Sequence, residues 1–430
     1  MSPVGAIAVT DATPGDELVV AVRAWVDEHV PRAWRDAGRT GGVAAVRSVR
    51  TRAEYEEWYP VFADSGLVVP TWPREYGGLG LRAEQARRLE VELAPYHLGR
   101  LNPLGLFNVA PALFAHGTDA QRSRFLPPMV RNEERWCQLF SEPGAGSDLA
   151  SLATRAERDG DTWFVTGQKV WTTWAHTSEL ACVLARTDVD APKRAGLTYF
   201  LVDLRQPGVT VRPLRHLTGA VDFNEVFLER AEVPDAQRVG ACGDGWRVAA
   251  TTLAGERQMV AGAGSGGVDR IGGRDVAHVV AIARARGAGD DPVVRQRLTQ
   301  LYSEERIRHW TNQRVRASVR AGRAPGPESS IGKVHQGGLN QRIQLLAVDL
   351  LGADATAWAS SADGAAGADG YDRSLPPEVR GMLRSRANTI EGGTTEVNKN
   401  VLGERVLGLP REPDPWRDAP WRDVPRSGAR

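Results

Sequence analysis

The sequence is short of several things, and each shortage closes off a class of protein. Its 430 residues hold only three cysteines, Cys137, Cys182 and Cys242. They are far apart and match no zinc spacing, so they suit a reducing compartment better than a disulfide scaffold, and none is given a role. No apolar run reaches the ~18 residues of a membrane-spanning helix, and the opening MSPVGAIAVTDATPGDELVVAVRAW lacks the basic stretch and apolar core of a signal peptide. A surplus of one charge is missing too: 54 Lys and Arg face 53 Asp and Glu, a net +1. Without a basic block there is no electrostatic footprint for nucleic acid. The expectation is a soluble, cytoplasmic protein that binds neither nucleic acid nor membrane.

What is present has a clear order along the chain. From Asp16 to about Arg131, apolar residues recur at three and four, as in GDELVVAVRAWVDEHV and LRAEQARRLEVELAPY. Asp16 is a candidate cap for the first helix, and VVPTWPREYGGLG (68–80) reads as a loop between helices. At Trp136 the texture changes to short, β-branched and aromatic runs such as TWFVTGQKVWTT, LACVLARTD and LTYFLVDL. Asp159-Gly160 is a hairpin signal, so an antiparallel β unit is expected. Helical periodicity returns at DGWRVAATTLAGERQMVAGAG, and the stretch between Ala353 and Pro377 reads as a mobile loop. The tail after Pro410 repeats PWRD at 415–418 and 420–423 and reads as an extended arm. The predicted fold class is therefore α+β, with helices at 1–131, a β unit at 132–237, a helical bundle at 238–410 and a tail at 411–430. That order excludes a doubly wound sheet, which would alternate strand and helix.

One glycine motif is set aside. GAGSGG at 262–267 fits G-x-G-x-x-G, but a helical run precedes it instead of a strand, and no acidic residue follows in a βαβ context.

Two other stretches carry more. In WCQLFSEPGAGSDLASL (136–152) a strand runs into a Gly-rich loop with two serine hydroxyls, Ser141 and Ser147, suited to an oxygen-rich ligand such as a diphosphate or a flavin edge. In GQKVWTTWA, Trp171 is placed to lie on a ring system and Thr173 to hydrogen-bond a heteroatom. Taken singly, either stretch is also an ordinary turn or a core tryptophan.

Together, SEPGAGSD, DTWFVTGQKVWTT, LARTD, DFNEVFLERAEVP, DGWRVAATTLAGER and IEGGTTEV resemble the acyl-CoA dehydrogenase family. The resemblance runs from about Phe62 to Pro410. APGPESSIGKVHQGGLNQR and EGGTTEVNKNVLGERVLGLP look most like the actinobacterial branch that includes sterol and specialised acyl-CoA degraders. It implies a helix–β–helix fold and an FAD enzyme that removes the α-proton and β-hydride of an acyl thioester, passing electrons to an electron-transfer flavoprotein. FAD would touch Gln138, Phe140, Ser141, Gly146, Ser147, Trp171, Thr172 and Thr173, with Thr394 and Glu396. Arg286 is the candidate diphosphate-binding arginine. Asp349 to Ala353, with Gly352, would reach the FAD of a neighbouring subunit in a homo- or hetero-oligomer.

The chemistry needs a carboxylate whose pKa rises as water is excluded, and donors on the thioester carbonyl. Two carboxylates compete. Medium- and short-chain members carry the base in Glu-Gly-Thr. Here the motif is Glu391-Gly392-Gly393-Thr394, which puts Glu391 one step early, a swing of ~100° on a helix. Isovaleryl-type and long-chain members carry it before an arginine on an earlier helix, a place that Glu256-Arg257 matches. Glu256 is therefore the expected base and Glu391 the alternative. Arg257 and Ser147 would hold substrate, and the Gly392 N–H would meet the thioester carbonyl. Rival readings on the same fold are a flavin monooxygenase or N-hydroxylase, a partner subunit of a heterotetramer, and a dehydrogenase of acyl-carrier-protein thioesters.

Overall fold

A computed structural model describes residues 7–260, 275–321, 326–357 and 375–425. The first helices are α1 (Gly15–His29), α2 (Arg32–Val49), α3 (Arg52–Asp64), α4 (Ala83–Leu93), α5 (Ala110–His116) and α6 (Asp119–Val130). Thr51 with Glu54 and Thr118 with Gln121 form reciprocal capping boxes that start α3 and α6. Asp16 does not cap α1: Pro14 stands at that position and Asp16 lies inside the first turn, where its charge favours the helix dipole. The 68–80 connection holds a single 3-10 turn at Arg74–Tyr76. Leu18, Val22, Trp25, Phe62, Leu89 and Leu113 fill the core between these helices. Each such side chain contributes about 1.5–3 kcal/mol by leaving water.

The strands are β1 (Trp136–Leu139), β2 (Arg155–Asp159), β3 (Thr162–Thr173), β4 (Leu180–Arg186), β5 (Leu197–Asp203), β6 (Val209–Leu214), β7 (Phe223–Pro234) and β8 (Arg238–Val239). They form one sheet in the order β6-β7-β3-β2-β4-β5-β8, with β1 alongside β4. The β2–β3 hairpin turns just after Asp159, at Gly160-Asp161, with Gly160 taking φ 56°. The sheet departs from pure antiparallel pairing at β1, which runs parallel to β4, and at one β2–β4 bridge. A parallel neighbour needs a long crossover, and the Gly-rich loop together with the β2–β3 hairpin supplies it.

The later helices are α7 (Gly245–Val260), α8 (Val276–Ala285), α9 (Pro292–Arg320), α10 (Ser329–Leu351), α11 (Pro377–Ser385) and α12 (Thr395–Arg405). Val276, Val279, Leu301, Leu339, Ile343 and Leu346 make their core. GAGSGG and most of the expected 353–377 loop lie outside the described residues. Among the described residues no helix is long and apolar enough to cross a membrane.

Candidate active site

The two stretches singled out in the sequence meet in space. The Val170 N–H donates to the Ser141 carbonyl at 2.9 Å, which seats the end of β3 on the start of the Gly-rich loop. One residue later β3 bulges: Lys169 pairs with Val226 but Thr172 pairs with Asn224, so three steps on β3 match two on β7. Up to that point the odd positions Trp163, Val165 and Lys169 face inward. The extra residue reverses the alternation. Trp171, at φ 60°, is thrown outward to 55% exposure with the Phe223 ring 5.6 Å away, while Thr172 turns in. The Thr172 hydroxyl is buried with no hydrogen-bond partner. Trp174, also at positive φ, is 43% exposed nearby in sequence. An outward aromatic face beside an open polar loop fits a flavin, with Thr173, half-buried, on the same side of the strand as Trp171.

The loop itself is anchored by charge. Lys169, fully buried, donates to the carbonyls of Phe140 (3.0 Å) and Leu184 (2.9 Å) and to Glu142 Oε1 (2.9 Å). Glu142 also accepts from the N–H groups of Ala153 (2.7 Å) and Thr154 (2.9 Å). Burial alone would raise the Glu142 carboxyl, but Lys169 and these donors outweigh it and hold it below the ordinary value. Burial pulls the Lys169 ammonium down despite its partner. Sequence reading passed over both residues although each sat inside a quoted motif. The available signal was Lys169 at an inward strand position, where a cation needs a buried carboxylate.

Between its anchors, Gly146 and Ser147 lie exposed, while Phe140 is buried with its ring edge-on to Tyr199 at 6.0 Å. Gln138, on β1, accepts from Asn108 Nδ2 at 2.9 Å. Asn108 also went unnoticed in the sequence. It belongs to a π-turn, Gly105–Val109, and its own side-chain oxygen is buried without a partner. Such turns recur at functional sites.

The helix carrying Glu256 is fixed by three contacts just before that residue. Thr251 Oγ1 meets His116 Nε2 at 2.9 Å, Thr252 Oγ1 meets the Tyr199 hydroxyl at 3.1 Å, and Gly255 lies directly on the Phe107 carbonyl, where a methyl would collide. The side chains of Glu256 and Arg257 lie outside the described residues.

Glu391 is engaged at both oxygens, by Arg384 Nη2 at 2.8 Å and Asn388 Nδ2 at 3.2 Å. Gly392 and Gly393 then take φ 64° and 87°, a left-handed pair that only glycine adopts freely. Thr394 caps α12 by accepting from the Val397 N–H, and Glu396 stands exposed in its first turn. Below this turn, Lys333 and Asn340 of α10 reach the Asn388 carbonyl (2.7 Å) and side-chain oxygen (2.6 Å), and Gln341 reaches Thr389.

Arg286 and the 349–352 stretch are placed differently. Arg286 caps α8 and pairs with Asp354, Asp349 pairs with Arg297 at 2.7 Å, and Gly352 ends α10 at φ 58°.

Comparison with known proteins agrees with this architecture. Family models match along the chain: "Acyl-CoA dehydrogenase, N-terminal domain" at residues 16–133, "Acyl-CoA dehydrogenase, middle domain" at 137–231 and "Acyl-CoA dehydrogenase, C-terminal domain" at 243–407. The chain belongs to the acyl-CoA dehydrogenase family and is an oxidoreductase of that kind. It is 38% identical to acyl-CoA dehydrogenase IpdE1 of Mycobacterium tuberculosis, over 92% of this chain and 98% of that one. It is 40% identical to acyl-CoA dehydrogenase FadE34 of the same organism, over 86% of this chain and 48% of that one. Among solved structures it is similar to the Tcur3481-Tcur3483 steroid ACAD, with TM-score 0.68, 26% identity, and 94% and 100% of the two chains covered. The ChsE4-ChsE5 complex from Mycobacterium tuberculosis gives TM-score 0.65 and 26% identity, covering 93% of this chain and 99% of that one.

Proposed function

We propose that the chain catalyses FAD-dependent α,β-dehydrogenation of an acyl-CoA thioester to a trans-2-enoyl thioester, with electrons passed to an electron-transfer flavoprotein. The observation that carries this reading is the junction at Ser141 and Val170, which sets the outward Trp171 beside the Gly-rich loop. Gln138, Phe140, Ser141, Gly146, Ser147, Trp171, Thr172 and Thr173 would hold FAD, with Thr394 and Glu396 from the helical side. Arg286 would hold the diphosphate and the Asp349 to Ala353 stretch would reach a neighbouring subunit's cofactor, exchanging their present partners Asp354 and Arg297 to do so. Bound FAD supplies the acceptor for the β-hydride.

Glu256 takes the α-proton. Substrate closing over it excludes water, which raises a carboxylate's pKa toward the range a base needs. The Gly392 N–H meets the thioester oxygen where enolate charge develops. Glu391, already held by Arg384 and Asn388, shapes that turn. Arg257 and Ser147 position substrate. The domain division that goes with this reading is 1–131, 132–237 and 238–410, with 411–430 as an extended tail. The names of the two solved relatives support a steroid-type acyl group and a two-chain assembly.

A panel of CoA and carrier-protein thioesters, scored anaerobically by loss of flavin absorbance, tests the reading. Steroid-type acyl-CoA is expected to bleach the flavin. If no thioester does, and the photoreduced enzyme instead forms a hydroperoxide with oxygen, the monooxygenase reading replaces it.

A further inference from the structure

The C-terminal arm does not simply trail away. Residues 411–418 are exposed, and the chain then returns to the sheet. Pro420 bridges Pro192, the Trp421 N–H donates to the Ala191 carbonyl at 2.9 Å, and the Arg422 N–H donates to the Val189 carbonyl at 3.1 Å. Arg422 pairs with Asp190 at 2.7 Å, and Trp421 and Val424 are buried.

What Trp421 buries itself against is the exit of the Gly-rich loop. Its indole lies over the Arg186 guanidinium at 4.3 Å, and its Nε1 donates to the Ser151 carbonyl at 3.3 Å. Arg186, itself buried, donates to the carbonyls of Ala150 (2.7 Å), Leu152 (3.2 Å) and Lys193 (3.1 Å). Three consecutive carbonyls, 150 to 152, are thus held by Arg186 and the arm, and the next two N–H groups, 153 and 154, by Glu142. The loop between 143 and 148 hangs from these two anchors. A cation stacked on an aromatic ring in a dry setting is worth most when both are desolvated, as here.

We propose that Trp421 is a positioning residue for the active-site loop: the C-terminal arm locks residues 150–152 through Arg186 and so sets where Gly146 and Ser147 stand. This rests on reading 141–147 as the flavin and thioester loop. The arm then acts on substrate binding without touching substrate.

The test compares wild type with Trp421→Ala and Trp421→Phe, all as flavin-loaded full chains. Phe keeps a ring over Arg186 and loses only the donor to Ser151. Trp421→Ala is expected to speed amide hydrogen exchange across 143–154 by about a hundredfold, the scale of losing one buried cation–π contact and one hydrogen bond. Strands β6 and β7 should exchange as before. The thioester KM should rise while kcat changes less, and Trp421→Phe should fall between. Unchanged exchange across 143–154 overturns the proposal, as does faster exchange spread evenly over the molecule. A wild type that no thioester bleaches would strike the dehydrogenase reading alone, and the exchange data would still decide the arm.

Discussion

On the sheet side of the site, the loop from Phe140 to Thr154 is fixed by buried charge: Lys169 on Glu142, and Arg186 under Trp421. On the helical side, the turn from Asn388 to Thr394 is fixed by Lys333 and amide side chains of α10 and by two left-handed glycines, and its Arg384–Glu391 ion pair is partly open to water. A buried cation and carboxylate stabilise only as a complete set, because removing one partner leaves the other unpaired in a medium that cannot solvate it. An exposed pair loses little, since water replaces the missing partner. The sheet side therefore behaves as a rigid, all-or-none platform. The helical side is a shaped backbone whose Arg384–Glu391 pair is dispensable.

The largest effect should separate the two carboxylates. Glu256→Gln is expected to keep FAD and bind acyl-CoA while losing about 10²–10⁴-fold in the rate of flavin bleaching, the range for removing a general base. Glu391→Gln should retain most of its rate. Stopped-flow bleaching decides, and a dead Glu391→Gln would move the base to the helical side and break the contrast. Next in size, Lys169→Met should cost on the order of 3–5 kcal/mol by leaving Glu142 buried and unpaired, read as a lower melting temperature and lost flavin. Replacing both, Lys169→Met with Glu142→Leu, should recover little of it, because the N–H groups of Ala153 and Thr154 lose the carboxylate that accepts from them. The pair also gives a pH signature. Because the folded Glu142 carboxyl titrates below its ordinary value, its contribution is complete above the unfolded carboxylate pKa and is lost as pH falls through the depressed folded one. Melting temperature should drop on acidification through that window, less steeply in Glu142→Gln.

Much of this was legible from pattern. Periodicity gave the helix–β–helix order, since 3.6- and 2-residue repeats are local properties, and Asp159-Gly160 marked a real hairpin. The pairing of the Ser141 and Trp171 stretches was expected only through resemblance; the bulge that turns Trp171 outward has no local sequence mark. β1 beside β4 in parallel was missed because pairing register depends on a crossover and not on the strand's own residues. The role of Trp421 was illegible for a similar reason: its contact with Ser151 spans 270 positions, and a tail of Pro, Arg and Asp reads as solvated whatever it docks on. Asp16 misled because a proline immediately before the helix took the cap position.

The smallest effect is the sharpest check on the contrast. Arg384→Ala removes the charged partner of Glu391, leaving Asn388 on one oxygen. The side chains are 39% and 30% exposed, so water reaches both, and the loss should be less than about 1 kcal/mol. The turn itself should persist, because its course is set by Gly392 and Gly393 at positive φ and by the Thr394 cap. Melting temperature and flavin content of Arg384→Ala should therefore sit near wild type, far from Lys169→Met. A penalty comparable to Lys169→Met would mean that Glu391 is desolvated in the working enzyme, by substrate or by a neighbouring subunit, and that the helical side is a second charge-locked platform.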